Sequence, residues 1–254
     1  MNSIWLVATN TVRQTIRQRL FFNVVVFGLC IVALSTVVSF LTYGYPSRVV
    51  RSLGLSGVSV ALDLMALLLS VSLIHQEIDK KTLFVVLTRP LTRLQYVIGR
   101  FLGLIAALAL VLVGFSLVFW IALTVSRGSL TGTDVIALMA CLPEAAIISA
   151  FGLVLSSFST PTLSAGIGLG FWIASATTDD LVRLTAKADE FSRGIASAVY
   201  YILPAFSRFD FREAAVYSDA LSGGDVAAVF VYGAMYASAL VLLAGVVLQR
   251  REML

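Results

Sequence analysis

A single histidine and two cysteines in 254 residues leave little with which to build a metal centre or a nucleophilic site. His75 has no companion cysteine or carboxylate cluster, and no Ser-His-Asp set is recognisable around it. Cys30 and Cys141 fall in separate apolar runs without ligand spacing and read as packing residues. Charge is also scarce. Asp, Glu, Lys and Arg make up 13% of the chain, against about 25% in a soluble domain. No Gly-x-x-x-x-Gly-Lys-Ser/Thr phosphate loop is present. Gly166-Ile167-Gly168-Leu169-Gly170 is rich in glycine, but it sits inside an apolar run with no preceding strand and no trailing Lys-Ser. With Ser164 and Ala165 it reads as a helix face built for close approach. These absences exclude a water-soluble enzyme, a nucleotide-hydrolysing domain and a disordered chain.

What is present is hydrocarbon. Hydrophobic residues are 59% of the chain, and mean hydropathy is +0.96. About 20 apolar residues cross a bilayer core of about 30 Å. The pattern predicts an all-α integral membrane protein, a single membrane domain over 1–254 with six transmembrane helices. The spans are expected near Phe21–Tyr43, Val58–Ile74, Tyr96–Val125, Asp134–Phe158, Thr162–Thr178 and Val226–Leu248. Pro143 and Glu144 are expected to interrupt the fourth. Before the first, residues 1–20 read as an interfacial helix. Trp5, Ala8, Val12 and Ile16 recur on one face, while Asn10, Arg13, Gln14 and Arg17 take the other. The apolar run that follows is too long for a cleaved leader and is expected to remain as a span.

Residues 179–225 break the pattern with eight carboxylates and five cations. Inside them, the apolar stretch from Gly194 to Pro204 is too short to cross and is expected to form a re-entrant, half-inserted outer helix. In Phe206–Glu213, Arg208, Asp210, Arg212 and Glu213 alternate with aromatics, as in an interfacial belt with self-paired charges.

The net charge of +4 comes from cations beside apolar runs, the signature of membrane orientation rather than of nucleic-acid binding. With six spans both termini share one side. Ten basic residues fall there and eight on the other, most of the eight in one long loop, a weak reporter of orientation. Both termini are therefore expected in the cytoplasm, with 75–95 cytoplasmic and 179–225 outside.

The 75–95 segment carries a charged turn (Glu77, Asp79, Lys80, Lys81), an amphipathic stretch (Leu83, Phe84, Val86, Leu87) and a stop at Pro90. Such an element suits docking to a soluble partner, because charge pairs steer and register an encounter. Glu77, Lys81-Thr82-Leu83, Thr88-Arg89-Pro90-Leu91-Thr92-Arg93 and Gly99-Arg100-Phe101-Leu102-Gly103 resemble the cytoplasmic loop of ABC type-2 transporter permeases. Members with similar sequences include the permeases linked to nitrous-oxide reductase maturation and to gliding motility. Lys81, Thr92 and Arg100 stand where that family has glycine, serine and lysine. Arg for Lys alters the donor geometry.

The resemblance implies a multi-pass permease of the bacterial inner membrane, with no cofactor of its own. A cytoplasmic ATPase subunit would bind ATP and Mg, and a second permease copy or a homologous permease would complete the dimer. The segment 75–95 would be a cytoplasmic coupling helix, with Glu77, Asp79, Lys80, Lys81, Thr82 and Arg93 as ATPase-coupling residues. An envelope partner at the outer loop is compatible with that layout.

Two carboxylates fall inside apolar runs, Asp63 and Glu144. A charge at mid-membrane costs about 2.5–3.5 kcal/mol on insertion scales. They form a candidate intramembrane polar site for cargo, a proton or an interhelical pair. The bland readings have Asp63 reaching the interface and Glu144 capping turns loosened by Pro143. Two other functions stay open at this level. One is a proton-coupled secondary carrier using Glu144 and Asp63. The other is a membrane scaffold anchoring an ATPase that acts on an envelope partner.

Overall fold

The computed structural model describes residues 3–41, 45–79, 93–178, 181, 200, 203–217 and 221–250, with the backbone alone at 3, 74–79, 93, 249 and 250. Among the described residues every regular element is helical. The order is α1 (Ser3–Ile16), α2 (Arg19–Leu41), α3 (Pro46–Asp79), α4 (Arg93–Val125), α5 (Gly132–Ser156), α6 (Pro161–Ala176), a 3₁₀ turn (Phe206–Phe209), α7 (Arg212–Tyr217) and α8 (Gly223–Arg250). The expected outer helix at 194–204 lies mostly outside the described residues.

Five helices are long and apolar enough to cross a membrane: Arg19–Leu41, Pro46–Leu73, Leu94–Val125, Gly132–Ser156 and Gly223–Leu248. The fifth expected span corresponds to α6, whose 16 residues rise about 24 Å, less than a full bilayer core. Two helices form the centre. Within their apolar windows α3 and α5 are 72% buried, against 22% for α2 and 17% for α8. The outer pair presents Phe22, Phe27, Phe40, Met235 and Leu242 outward. Apolar side chains on that perimeter suit lipid, where an α-helix satisfies its own backbone polar groups.

Two helices depart from the expected boundaries. The loop expected before Gly57 is helix from Pro46 onward. Proline is well placed in the first turn, where its missing N–H has no partner to lose. Helix α5 runs through Pro143 without interruption. The ring packs against α8, where Gly233 leaves room for it: a Cβ there would come within 2.7 Å of Pro143 Cβ.

The α3–α5 contact is equally close. A side chain on Gly152 would collide with the Ser70 hydroxyl. On α6, Ser164 and Gly168 are buried, with Gly168 against Leu67, while Gly166 and Gly170 face open space. The glycine run is thus a close-approach face on one side only. Cys141 is buried as expected, but Cys30 is exposed on the perimeter of α2.

At the end of the bundle where α3 and α5 begin, a buried ion pair clamps the helices. Arg51 Nε lies 3.1 Å from Asp134 Oδ1, with side-chain exposures of 10% and 0%. Arg51 also donates to the Ser129 carbonyl at 2.7 Å. The second oxygen of Asp134 accepts from the Thr131 backbone N–H at 2.8 Å and its hydroxyl at 2.7 Å, closing a capping box on α5. Helix α4 stops one turn earlier in a Schellman arrangement. Gly128 N–H donates to the Leu123 carbonyl at 2.9 Å, and Arg127 takes the left-handed conformation at φ 56°.

Candidate functional site

Two places concentrate polar groups inside the apolar bundle, one at each end. At the end where α3 and α5 begin, a cavity of about 380 Å³ lies between α3, α5, the C-terminus of α6 and residues 206–213. Its lining includes Ser59, Glu144, Phe209, Asp210 and Arg212. Glu144 is the thirteenth residue of α5, so at about 1.5 Å per residue it sits some 18 Å from the helix start. It makes no hydrogen bond or ion pair among the described residues and does not cap the turns around Pro143.

Asp63 lies behind the Ser59 wall. It is 2% exposed and so does not reach the interface. Burial inside the bundle overrides the expectation, because α3 is a central helix and position 63 faces its neighbours. Trp172 Nε1 donates to Asp63 Oδ2 at 3.2 Å, and the Ser59 hydroxyl donates to the same oxygen at a long 3.5 Å. Among the described residues Asp63 Oδ1 is buried without a partner. Glu144 lies within the electrostatic reach of Asp63, Asp210 and Arg212, and Asp63 within that of Arg212.

The roof of this cavity is the 206–213 segment. Phe206 and Phe209 are 3% exposed, so they plug the bundle instead of forming an interfacial belt. Phe171 of α6 stacks on Phe151 of α5 with centroids 3.8 Å apart, and meets Phe206 edge-on at 6.1 Å. Tyr232 of α8 accepts from the Ala205 backbone N–H at 3.3 Å. The expected self-pairing of charge is present in Arg212, which grips Asp210 through Nε and Nη2. Its Nη1 donates to the Ser56 hydroxyl on α3 at 2.8 Å, tying the roof to the bundle. The hydrogen-bonded Asp210 carboxylate raises the Arg212 guanidinium further above its usual value, so Arg212 is a permanent cation.

At the opposite end, Arg100 is 2% exposed although it stands in an apolar helix. Its Nη1 donates to Gln14 Oε1 at 2.9 Å and to Thr11 Oγ1 at 3.2 Å, and its Nε to the Tyr96 hydroxyl at 3.1 Å. On either side, Gly99 and Gly103 admit α1 to contact with the α4 backbone. A Cβ on Gly99 would meet Val7 Cβ at 2.8 Å, and one on Gly103 would meet Thr11 Cβ at 2.5 Å and the Ala8 carbonyl at 2.6 Å. The Gly99-Arg100-Phe101-Leu102-Gly103 run is therefore the seat of α1.

This corrects the reading of α1. Its buried stripe is Ala8, Thr11 and Thr15, continued by Gln18 in the turn that follows, while Trp5 is 67% exposed. Gln14, assigned to the lipid-facing polar side, faces Arg100 instead. A buried guanidinium in α4 needs acceptors, and the polar residues of α1 supply them.

The proposed coupling residues flank this joint. Glu77 and Asp79 lie on the last turn of α3 and Arg93 opens α4. Their side chains, and Lys80, Lys81 and Thr82 entirely, lie outside the described residues.

The chain matches the family described as ABC-2 family transporter protein over residues 5–253. It belongs to that family. No curated protein matches it. Membership makes the chain a transport subunit of the membrane, a permease of an ABC transporter, and favours neither a stand-alone carrier nor a scaffold. The residues missed by sequence reasoning are those whose partners are remote in the chain. Trp172 and Asp63 are 109 positions apart, and Arg100 and Thr11 are 89 apart. The one signal available was a charge in an apolar run, at Arg100 and Asp63 alike.

Proposed function

We propose that the chain is the membrane-spanning half of an exporter driven by a separate cytoplasmic ATPase, which grips the segment between α3 and α4. The family membership supports an ATPase partner. The observation that carries the coupling reading is the length of the two helices that flank the segment. Helix α3 has 34 residues and α4 has 33, each about 50 Å long at 1.5 Å per residue. That is about 20 Å more than a bilayer core. In the sequence, the apolar run of α3 gives way at its far end to His75, Gln76, Glu77 and Asp79. In this reading the overrun carries the end of α3 with Glu77 and Asp79, and the start of α4 with Arg93, past the core, and Lys80, Lys81 and Thr82 follow in the chain as the remaining coupling residues.

In this reading α6 is the fifth of six spans, lengthened by Thr177 and Thr178 and by local thinning of the bilayer. Both termini then face the cytoplasm, α1 lies in the inner headgroup layer, and the 206–213 roof faces outward. Two permease copies, or one copy and a homologue, form the pathway. ATP and Mg bind the ATPase alone. Closure of the two ATPase subunits pushes on the 75–95 segments, and the bundles shift between inward- and outward-facing states.

The test is Glu77→Arg in the full complex. Cargo-linked ATP hydrolysis is expected to be lost while membrane insertion persists. Unchanged stimulated hydrolysis in that variant would refute the coupling role.

A further inference from the structure

The cavity beneath the 206–213 roof has a composition that selects a ligand. Three carboxylates line it, those of Glu144, Asp210 and Glu213, against one cation, Arg212. Arg212 is already engaged by Asp210 and by Ser56. Among the described residues Glu144 has no hydrogen-bond or ion-pair partner, and behind the wall the buried Oδ1 of Asp63 lacks a donor. Asp210 and Glu213 are exposed on the roof, so the carboxylate set between the apolar helices is that of Glu144, where water supplies a counter-charge poorly once the group is ionised.

The remaining walls are apolar and aromatic, with Phe206, Phe209 and Phe211 contributing. Aromatic surface attracts cations by its quadrupole and packs against hydrocarbon. The volume, about 380 Å³, lies at the lower end of the range for small-molecule sites, about 300–1,000 Å³. Among the described residues no three His, Cys, Asp or Glu side chains converge as metal ligands. One free carboxylate among phenyl rings fits a diffuse organic charge better than a bare metal ion, which demands several oxygen ligands.

We propose that this cavity binds an organic cation, an onium or ammonium head on an apolar body, with Glu144 as its counter-charge. Asp63 adds field from behind Ser59, and the Asp210–Arg212 pair holds the roof in place. As the cargo class of the exporter the inference rests on the permease reading above. As a binding site it stands apart from any ATPase, and it is tested without one.

The experiment uses the full chain in nanodiscs of phosphatidylglycerol, with tritiated tetraphenylphosphonium as the probe. Saturable binding is expected. It should weaken at least tenfold in Glu144→Gln and fall between the two in Glu144→Asp. Neutral triphenylphosphine oxide, similar in its apolar body, should displace the probe at least tenfold less well than unlabelled cation. Ala176 is exposed at the rim, so Ala176→Trp should obstruct entry without disturbing packing. It should weaken binding while thermal unfolding stays unchanged, which keeps the test alive if Glu144→Gln fails to fold.

Adding phosphatidylethanolamine to the discs separates two sources of the same chemistry. Competition assigns the site to a lipid ammonium head, and its absence to a free cation. No saturable binding, equal binding in Glu144→Gln, or equal displacement by the neutral oxide would overturn the proposal. Each of those results would leave the coupling test through Glu77 untouched.

Discussion

Replacing Asp134 by alanine removes two supports at once. It leaves Arg51 as an uncompensated cation with a 10% exposed side chain, and it strips the capping box from α5. At 3.1 Å and an effective dielectric of about 20, the Coulomb attraction is about 5 kcal/mol before desolvation is counted. Truncating one partner of a buried pair costs about 3–5 kcal/mol, and losing an N-cap costs about 1 kcal/mol. Arg51 keeps its bond to the Ser129 carbonyl, which holds the expected loss for Asp134→Ala to about 4–5 kcal/mol. Arg51→Met should cost less, about 2–3 kcal/mol, because Asp134 retains both Thr131 donors. The double variant removes the charge and its orphan together. Only the lost cap and some packing remain, about 1–2 kcal/mol. Reversible unfolding in mixed micelles measures all three. If the double variant is no more stable than Asp134→Ala, or if Asp134→Ala costs less than about 1 kcal/mol, the pair is not the clamp described here.

Other expectations follow from single contacts. Trp172→Phe removes the short donor to Asp63 and should lower stability by about 1–3 kcal/mol in the same assay. Arg100→Lys replaces a fork that serves three acceptors with a point donor. Protease cleavage within α1 should rise several-fold, and unchanged protection would count against the joint. Arg127→Gly relieves a left-handed non-glycine residue at the end of α4 and should stabilise by about 1 kcal/mol, read as a higher unfolding midpoint.

Composition and run length made the helical, membrane-embedded class legible, and the apolar stretches near 96–125, 134–158 and 226–248 fall close to α4, α5 and α8. The sequence reading failed where a local signal had a remote cause. Pro143 reads as a break through its missing N–H, whereas a helix packed between α3 and α8 carries the proline through. The stretch before Gly57 reads as a loop because its glycines and serines are turn formers in water, whereas inside a bundle small residues permit close helix packing. On α1 the polar side was misread at Gln14 for a related reason, while Asn10, Arg13 and Arg17 are exposed as expected. Periodicity reports polarity, and it cannot tell lipid headgroups from a guanidinium on a neighbouring helix. At the candidate site the two intramembrane carboxylates were legible as anomalies, but the cavity beside them needed residues 206–213 folded back over α3 and α5.

The seat of α1 on α4 bears directly on how force would travel. Arg100 lies seven residues from the start of α4, about 10 Å along the axis, so the joint is within two turns of the segment proposed to meet the ATPase. Gly99 and Gly103 place the α1 and α4 backbones in contact, and a contact of that closeness resists sliding because side chains cannot pass. Helix α1 and the base of α4 should therefore move as one body. A disulfide between Cys at 7 and at 99 tests this, in a background with Cys30→Ala and Cys141→Ala. Their Cβ atoms would stand 2.8 Å apart, so the pair must open by about 1 Å to reach disulfide spacing. Val7→Cys with Gly99→Cys should cross-link readily, and the cross-linked transporter should keep its stimulated ATP hydrolysis. Loss of that activity on oxidation, restored by reduction, would mean that α1 slides along α4 during the cycle. The Arg100 network would then be a latch that opens in each turnover, not a fixed joint.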